Sequence, residues 1–150
     1  MTFLSIVLDE LGFFEVLANI ALKKVKQSQF ALFFILYALT SILTIFTSND
    51  IIILTFTPFI IFFSKRANIN PVPYLVSEFV SANTWSMFLI IGNPTNIYLA
   101  TSGNISFFEY TSKMALPTIF AGIVSLGLLL LIFRKSLKAP LKIEIEEAKI

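Results

Sequence analysis

Three stretches of this sequence carry no charged residue, and each is long enough to cross a lipid bilayer. They cover residues 27–49, 79–108 and 114–133, which are 23, 30 and 20 residues long. A helix rises roughly 1.5 Å per residue, so about 20 apolar residues span the hydrocarbon core. An ordinary soluble domain carries roughly 25% charged residues, whereas this chain carries 13%. The sequence therefore predicts an all-α membrane protein and excludes soluble folds.

Two residue types are missing from the sequence, and their absence excludes most catalytic and metal-binding chemistry. The chain has no Cys and no His, so it cannot form a disulfide, a thiolate metal site or a histidine-dependent zinc, haem or triad centre. Its formal charge is only +2, and the basic residues cluster at the ends of apolar segments instead of along one face. We therefore expect no enzyme, no organic cofactor and no nucleic-acid partner.

The basic residues predict which side of the membrane each loop occupies. Nine of the eleven form three groups: Lys23, Lys24 and Lys26; Lys65 and Arg66; Arg134, Lys135, Lys138 and Lys142. The positive-inside rule predicts that all three groups lie in the cytoplasm. The first transmembrane segment, residues 3–22, then runs from outside to inside. We expect a multi-pass protein of the plasma membrane with its N-terminus outside and its C-terminus in the cytoplasm.

Residues 30–64 are predicted to enter the membrane and return to the same side. After the polar residues 47–50, the returning apolar segment 51–63 has only 13 residues. As a helix it covers about 20 Å, which is less than the ~30 Å hydrocarbon core. A re-entrant helical hairpin therefore fits better than two full crossings. Its polar tip at residues 47–50 would then lie at membrane depth, where protein or a water-filled cavity must surround it.

Residues 74–108 must cross the membrane once, and a polar sequence interrupts them. The interruption is Gly92-Asn93-Pro94-Thr95-Asn96, in which Pro94 removes a backbone donor and Gly92 lowers helix stability. This pattern predicts a discontinuous transmembrane helix. A last transmembrane helix follows at residues 114–133. The predicted transmembrane unit is 1–135, and residues 136–150 form a cytosolic tail or linker.

The hairpin tip and the interrupted helix together predict a binding site near the middle of the membrane. Secondary transporters build such sites from interrupted helices, whose N-termini attract anions and whose unwound carbonyls coordinate Na⁺ or serve proton-coupled chemistry. The coupling ion is expected to be Na⁺ or H⁺, and Na⁺ would bind at Asn49, Asn93 and Asn96. The candidate substrate- and ion-binding residues are Ser48, Asn49, Asp50, Gly92, Asn93, Pro94, Thr95 and Asn96.

Four further polar residues are weaker candidates for the same site. If the helix continued to Gly92, Asn83 and Thr84 would lie roughly 15 Å from the interruption along the helix axis. Asp9 and Glu10 would lie at middle depth in the first segment, where acidic side chains are costly to expose to lipid. They could instead pair with a basic group such as Lys113 or lie near the outer interface.

Simpler structural roles are also open for the strongest candidates. Asp50 inside the membrane is a functional candidate because burying an acid there is costly, and it could bind a cation or carry a proton. It could equally be a first-turn acid that complements the helix dipole. The residues from Asn93 to Asn96 could belong to a proline-kinked helix whose released backbone groups are satisfied by neighbouring residues.

Three sequence elements together resemble the ion transporter superfamily. They are residues 8–15 (LDELGFFE), residues 47–58, which combine TSND with a downstream Thr-Pro, and residues 92–96 (GNPTN). Within the superfamily the sequence is most similar to the arsenite permease and Na⁺/H⁺ antiporter branch, which is related to the citrate and dicarboxylate transporters. The resemblance covers nearly all of residues 4–135.

The resemblance implies two inverted repeats, each with a re-entrant hairpin and a broken helix, and a substrate bound between hairpin tips and helix breaks. This sequence contains one such repeat. It is therefore expected to be a fragment, one half of a split transporter, or a unit that pairs with an inverted copy of itself. Residues 48–50 resemble the hairpin-tip motif and residues 92–96 the broken-helix loop. The dicarboxylate branch usually has Ser-Asn-Thr at the tip, so Asp50 favours arsenite efflux or cation antiport.

Three functional hypotheses follow for the chain. The first is half of a secondary transporter for an inorganic ion or small anion, either arsenite efflux or Na⁺/H⁺ antiport. The second is half of a citrate or dicarboxylate symporter. The third is a non-transporting membrane assembly subunit in which the polar interruptions mediate helix packing. The expected partners are the lipid bilayer, the transported ion and a second transporter half.

Overall fold

A computed structural model describes residues 28–141 of the chain. The predicted first segment 3–22, with Asp9 and Glu10, lies outside the described residues, as does the tail from residue 142. The described part is helical and contains no strand apart from an isolated backbone bridge between Ser28 and Pro140. The predicted all-α class is therefore confirmed.

Five α-helices and two short 3₁₀ turns make up the described residues. The helices are α1 Gln29–Phe46, α2 Asn49–Arg66, α3 Val72–Trp85, α4 Pro94–Ser102 and α5 Phe107–Phe133, and the 3₁₀ turns are Ile90–Gly92 and Ser136–Lys138.

Short polar sequences begin and end these helices. Ser28 caps α1, because its hydroxyl accepts the backbone N–H of Ala31 at 3.4 Å. Thr47 and Ser48 have non-helical backbone angles and separate α1 from α2. Asn93 caps α4 and Pro94 occupies its first position, where a missing N–H costs no hydrogen bond.

The central helix of the fold is α3, which packs against α1, α2 and α5. It runs parallel to α1: the Tyr74 hydroxyl donates to Oε1 of Gln29 at 2.9 Å at one end, and the hydroxyls of Ser41 and Ser81 are 3.0 Å apart further along. α2 runs antiparallel to both helices. The small side chains of Ser41, Ser81 and Ala82 are buried, which allows close packing between helices.

Five of the six basic residues within residues 28–141 lie at one end of the helix bundle, and Lys113 is the exception. Nε2 of Gln29 donates to the carbonyl of Ala139 at 2.8 Å, so the start of α1 lies beside the chain that follows α5. The end of α2 lies at the same end, because five residues connect it to the start of α3. Lys65, Arg66, Arg134, Lys135 and Lys138 therefore share this end. Their cytoplasmic orientation stays a prediction.

Two described helices are long and apolar enough to cross a membrane, namely α1 and α5. α5 has 27 residues and exposes many large apolar side chains, including Leu116, Phe120 and Ile132. A helix of this length that leaves its apolar side chains uncovered is typical of contact with lipid or with another membrane segment.

Several helix boundaries differ from those predicted. α2 has 18 residues instead of 13, because the polar residues at both ends of its apolar segment also join the helix. Its full length is about 27 Å, close to the thickness of the hydrocarbon core. Helix length therefore does not separate a re-entrant hairpin from two crossings, and the hairpin stays a prediction. α5 begins at Phe107, before the predicted residue 114, because Ser106 caps it and its first turns are polar.

The interruption of residues 74–108 begins earlier than predicted. α3 ends at Trp85 and does not continue to Gly92. The hydroxyl of Ser86 donates to the carbonyl of Asn83 at 2.9 Å, an arrangement in which a side chain competes with the helical backbone pattern. The non-helical residues therefore begin at Ser86, and Asn83 and Thr84 lie in the last turn of α3 beside them.

Candidate functional site

Asn49 at the tip between α1 and α2 is buried and makes contacts in two directions. Its side chain is 6% exposed. Its Oδ1 accepts the backbone N–H of Asp50 at 3.0 Å, and its Nδ2 donates to Oδ1 of Asn83 on α3 at 3.2 Å. The tip is therefore tied to the last turn of α3 by a direct contact between two amide side chains.

Asn83 and Ser86 continue this contact into the interruption. Nδ2 of Asn83 donates to the carbonyl of Phe79 at 2.8 Å, which orients its amide oxygen toward Asn49. The carbonyl of Asn83 accepts the hydroxyl of Ser86, which is fully buried. Together these bonds fix the conformation of the chain at the end of α3.

Asn96 closes the interruption from its other side. Its Nδ2 donates to the carbonyl of Ser86 at 2.8 Å and to the carbonyl of Leu89 at 3.2 Å, so one amide satisfies two carbonyls that have left the helical pattern. Gly92 allows this close fold. A Cβ atom at Gly92 would overlap the Ser86 carbonyl oxygen and lie 2.9 Å from the Ser86 carbonyl carbon.

The other residues of the predicted broken-helix loop have local roles or lie at the surface. Oδ1 of Asn93 accepts the backbone N–H of Thr95 at 2.9 Å and caps α4. Pro94 and Thr95 are exposed, and Asn93 is half-buried. These three residues make no hydrogen bond with the tip among the described residues.

At the tip itself, Asn49 is more buried than its two neighbours. Ser48 precedes α2 in an extended conformation and its side chain forms no cap. Asp50 is exposed in the first turn of α2. Its position near a helix N-terminus complements the dipole, as the simpler interpretation of this residue proposed. Thr84 is half-buried in the last turn of α3.

The structure therefore connects the predicted tip and the predicted interruption through Asn83, a weaker candidate, and Ser86, which was not a candidate. The side chains of Asn49 and Asn83 bond directly, and the path continues to Ser86 and Asn96 through the backbone carbonyls of Asn83 and Ser86. Asn83 ranked as a weaker candidate because the helix was expected to continue to Gly92. Ser86 was not predicted, although its position before a Met-Phe-Leu run close to the break was a usable signal.

The suggested Na⁺ ligands are only partly brought together. The amide oxygens of Asn49 and Asn93 each accept a backbone N–H, and Asn96 acts as a donor. An amide oxygen has a second lone pair, so Asn49 retains capacity to bind a cation. Asn93 caps its own helix. No group of three or more acidic residues that could hold a metal ion occurs within residues 28–141.

A second polar network stabilises the packing behind the site. The Tyr37 hydroxyl of α1 donates to the carbonyl of Gly122 on α5 at 2.8 Å, lies 2.9 Å from the Ser125 hydroxyl and accepts Nε1 of Trp85 at 3.3 Å. A Cβ atom at Gly122 would lie 2.6 Å from Cε2 of Trp85, so only glycine admits the indole ring here. This network holds the end of α3 between α1 and α5.

Glu78 is a buried acidic residue that the sequence interpretation did not single out. It lies on α3, is 3% exposed, and accepts hydrogen bonds from the hydroxyl of Thr57 on α2. It lies immediately before the uncharged stretch 79–108, within the predicted crossing segment 74–108.

Apolar helices long enough to cross a membrane and a polar contact between a helix tip and a helix interruption are features of membrane transporters. The sequence model of the citrate transporter family matches residues 1–145. The chain therefore belongs to the citrate transporter family. Its relatives are membrane transporters and not enzymes, which confirms the resemblance found in the sequence.

Curated relatives include proteins named for arsenical transport. The Dictyostelium discoideum protein named "Putative transporter arsB" is 32% identical over 139 residues, which are 92% of this chain and 24% of that protein. The Bacillus subtilis protein named "Putative arsenical pump membrane protein" is 28% identical over 141 residues, 92% of this chain and 32% of that protein. The P protein of Mus musculus is 30% identical over 138 residues, 89% of this chain and 17% of that protein.

The chain spans a third or less of the length of these relatives. No solved structure matches it significantly.

Proposed function

We propose that this chain supplies one half of the binding site of a secondary active transporter for an inorganic ion or small anion. The transported species is arsenite or a related inorganic species, moved out of the cell by exchange with a coupling ion. The protein acts in the plasma membrane, with its C-terminus in the cytoplasm.

The observation that carries this proposal is the hydrogen bond between the buried Asn49 and the exposed Asn83, which continues through backbone carbonyls to Ser86 and Asn96. An amide pair between a tip and a helix end, with one amide buried and the other exposed, supports a ligand site. These groups present hydrogen-bond donors and acceptors next to backbone that has left the helical pattern.

The charge around the tip supports an inorganic species over citrate. Asp50 adds a negative charge in the first turn of α2. The tip residues and their hydrogen-bonded partners include no basic side chain, and Lys113, in the first half of α5, pairs with Glu109 at 2.9 Å. A tricarboxylate usually needs cationic partners, whereas the neutral hydroxide of arsenic needs hydrogen-bonding groups.

A second half is needed to complete the site. Transporters of this kind form their site between two repeats, and this chain contributes one tip and one interruption. The large apolar side chains exposed on α5 are consistent with a membrane partner as well as lipid. Na⁺ or a proton is the coupling ion in this proposal, and Asn49 is the side chain best suited to contact Na⁺.

Transport by the protein purified from its native membrane, so that any partner half is retained, tests the proposal. In proteoliposomes we expect labelled arsenite to move against its gradient when a proton or Na⁺ gradient is imposed. Asp50→Asn and Asn49→Ala should each lower this transport strongly, because one changes the charge at the tip and the other removes the amide that contacts Asn83. Thr101→Ala, at an exposed side chain outside the candidate site, is the matched control.

Three results would contradict the proposal. Unchanged transport in both tip variants would reject the site. Gradient-driven uptake of citrate with no arsenite transport would instead support a symporter half, which the name of the family favours. Transport of neither species would indicate a membrane assembly subunit.

A further inference from the structure

Glu78 lies at the interface of α2 and α3, away from the amide pair at the tip. Its side chain is 3% exposed, and its Oε1 and Oε2 accept the Oγ1 hydroxyl of Thr57 at 3.3 and 3.1 Å. Within residues 28–141 this hydroxyl is the hydrogen-bond donor to the carboxyl, and no Lys or Arg forms an ion pair with it.

The surroundings of Glu78 disfavour a permanent charge. A buried carboxylate without a basic partner costs several kcal/mol. The neutral acid avoids this cost and still accepts the Thr57 hydroxyl. A group in this position is stable when protonated and becomes charged when a conformational change admits water, which is the behaviour of a reversible proton carrier.

Within residues 28–141, the other titratable groups on the elements packed against α3 make no hydrogen bond or ion pair with Glu78. Tyr37 on α1 is engaged with Gly122 and Ser125. The titratable residues at the ends of α2 are exposed, and those on α5 pair with each other or contact the chain after α3. These residues are Asp50, Lys65 and Arg66 on α2, and Glu109, Tyr110 and Lys113 on α5.

Polar groups occur at three levels of the α2 helix. Asn49, Thr57 and Ser64 are separated by eight and seven residues, which places them within an arc of about 80°. Asn49 contacts Asn83, Thr57 contacts Glu78, and the Ser64 hydroxyl is buried without a partner. Glu78 thus lies between the candidate substrate site and the basic end of the bundle.

Pro58 makes bending of α2 beside Thr57 less costly. It follows Thr57 directly and lies inside α2. Proline provides no backbone N–H, so the helix lacks one hydrogen bond there and bends more readily. Bending at this turn would move Thr57 relative to Glu78 and alter the access of water to the carboxyl.

We propose that Glu78, held by Thr57 at the α2–α3 interface, is a proton-binding site that couples proton movement to transport. The coupling part rests on the proposed function. In one state the carboxylate takes up a proton from water on one side, forming one O–H bond. In another state that bond breaks and the proton passes to water on the opposite side. No other co-reactant is required.

Infrared difference spectroscopy on the purified, reconstituted protein tests proton binding directly. Stepping the pH from alkaline to acidic should produce the carbonyl band of a buried carboxylic acid. Glu78→Gln should abolish this band, because Gln keeps an acceptor for Thr57 but cannot be protonated. Glu109→Gln, which changes an exposed glutamate paired with Lys113, is the matched control and should leave the band unchanged. Thr57→Val keeps the carboxyl and should move the band and its titration midpoint.

Two spectroscopic results would overturn the proposal. One is the absence of a buried-acid band in the unmodified protein. The other is a band that survives in Glu78→Gln. If Glu78→Gln does not fold, the Thr57→Val variant decides alone, and an unshifted band would reject the site.

Transport measurements on the same preparations separate this proposal from the proposed function. With arsenite as the probe, Glu78→Gln should lose accumulation driven by a pH gradient and retain exchange of labelled for unlabelled arsenite. Retained proton-driven accumulation would reject coupling through Glu78. If the unmodified protein moves neither arsenite nor citrate while the Glu78 band titrates, the proton site stands and the proposed function fails.

Discussion

Gly92 shows how one residue determines the shape of the interruption. The chain folds back so that Gly92 approaches the backbone of Ser86, and Asn96 donates to the Ser86 carbonyl in the same place. A side chain at position 92 would occupy the space of this carbonyl. Backbone atoms yield less readily than the end of a side chain, so the close approach requires glycine.

Gly92→Ala is therefore expected to destabilise the protein by about 1–3 kcal/mol, because the new methyl group forces the backbone of Ser86 to move. Loss of helical circular dichroism on heating, measured on the purified protein, provides the check. Gly92→Ala should also weaken transport, since Ser86 links Asn83 to Asn96. A melting temperature equal to that of the unmodified protein would show that the interruption folds differently.

At the level of secondary-structure elements, the packing of α3 against α5 depends on Gly122. Trp85, the last residue of α3, lies against Gly122 of α5 and donates to Tyr37 of α1. Three helices therefore meet where α3 ends. The indole ring fits because α5 has no side chain at this position, which is the close approach that small residues permit between membrane helices.

Two glycines of α5 provide a matched test of this packing. Gly122→Ala should lower stability by about 1–3 kcal/mol because its Cβ would overlap the Trp85 ring. Gly127→Ala meets no atom within 4 Å. It should leave stability unchanged or raise it by up to about 1 kcal/mol through higher helix propensity. Thermal unfolding of both variants measures the difference, and equal effects would argue against the Trp85 contact.

At the scale of the whole molecule, the described chain has a basic end and a polar site toward the opposite end. Lys65, Arg66, Arg134, Lys135 and Lys138 share one end of the bundle. Asn49 and Asn83 meet at the other ends of α2 and α3. The chain between residues 66 and 134 therefore returns to the end of the bundle that it leaves.

Cysteine labelling tests the orientation, and the chain has no native Cys to interfere. Ser136→Cys at the basic end should react with an impermeant thiol reagent only from the cytoplasm, because Lys and Arg favour that side. Ser102→Cys at the end of α4 should react only from outside. Both positions are exposed. Labelling of both from the same side would reject the crossing by the last helix, residues 114–133.

The sequence by itself determined the class of protein, the helical fold and the approximate positions of the helix breaks. These properties depend on local composition: uncharged stretches long enough to span a bilayer, basic groups at their ends, and residues such as Pro94 that cannot continue a helix. The family resemblance rested on the same local motifs, and the comparison with known families confirmed it.

Which side chains meet depends on how the helices pack against one another. Asn49 and Asn83 are 34 residues apart in sequence, and Thr57 and Glu78 are 21 apart. Such pairs depend on the relative direction, spacing and rotation of two packed helices, which no local pattern specifies. For that reason the sequence did not predict the contact of Asn83 with Asn49 or the contact of Glu78 with Thr57. The end of α3 also depends on tertiary packing, because Ser86 leaves the helix where Asn96 and Gly92 pack against it.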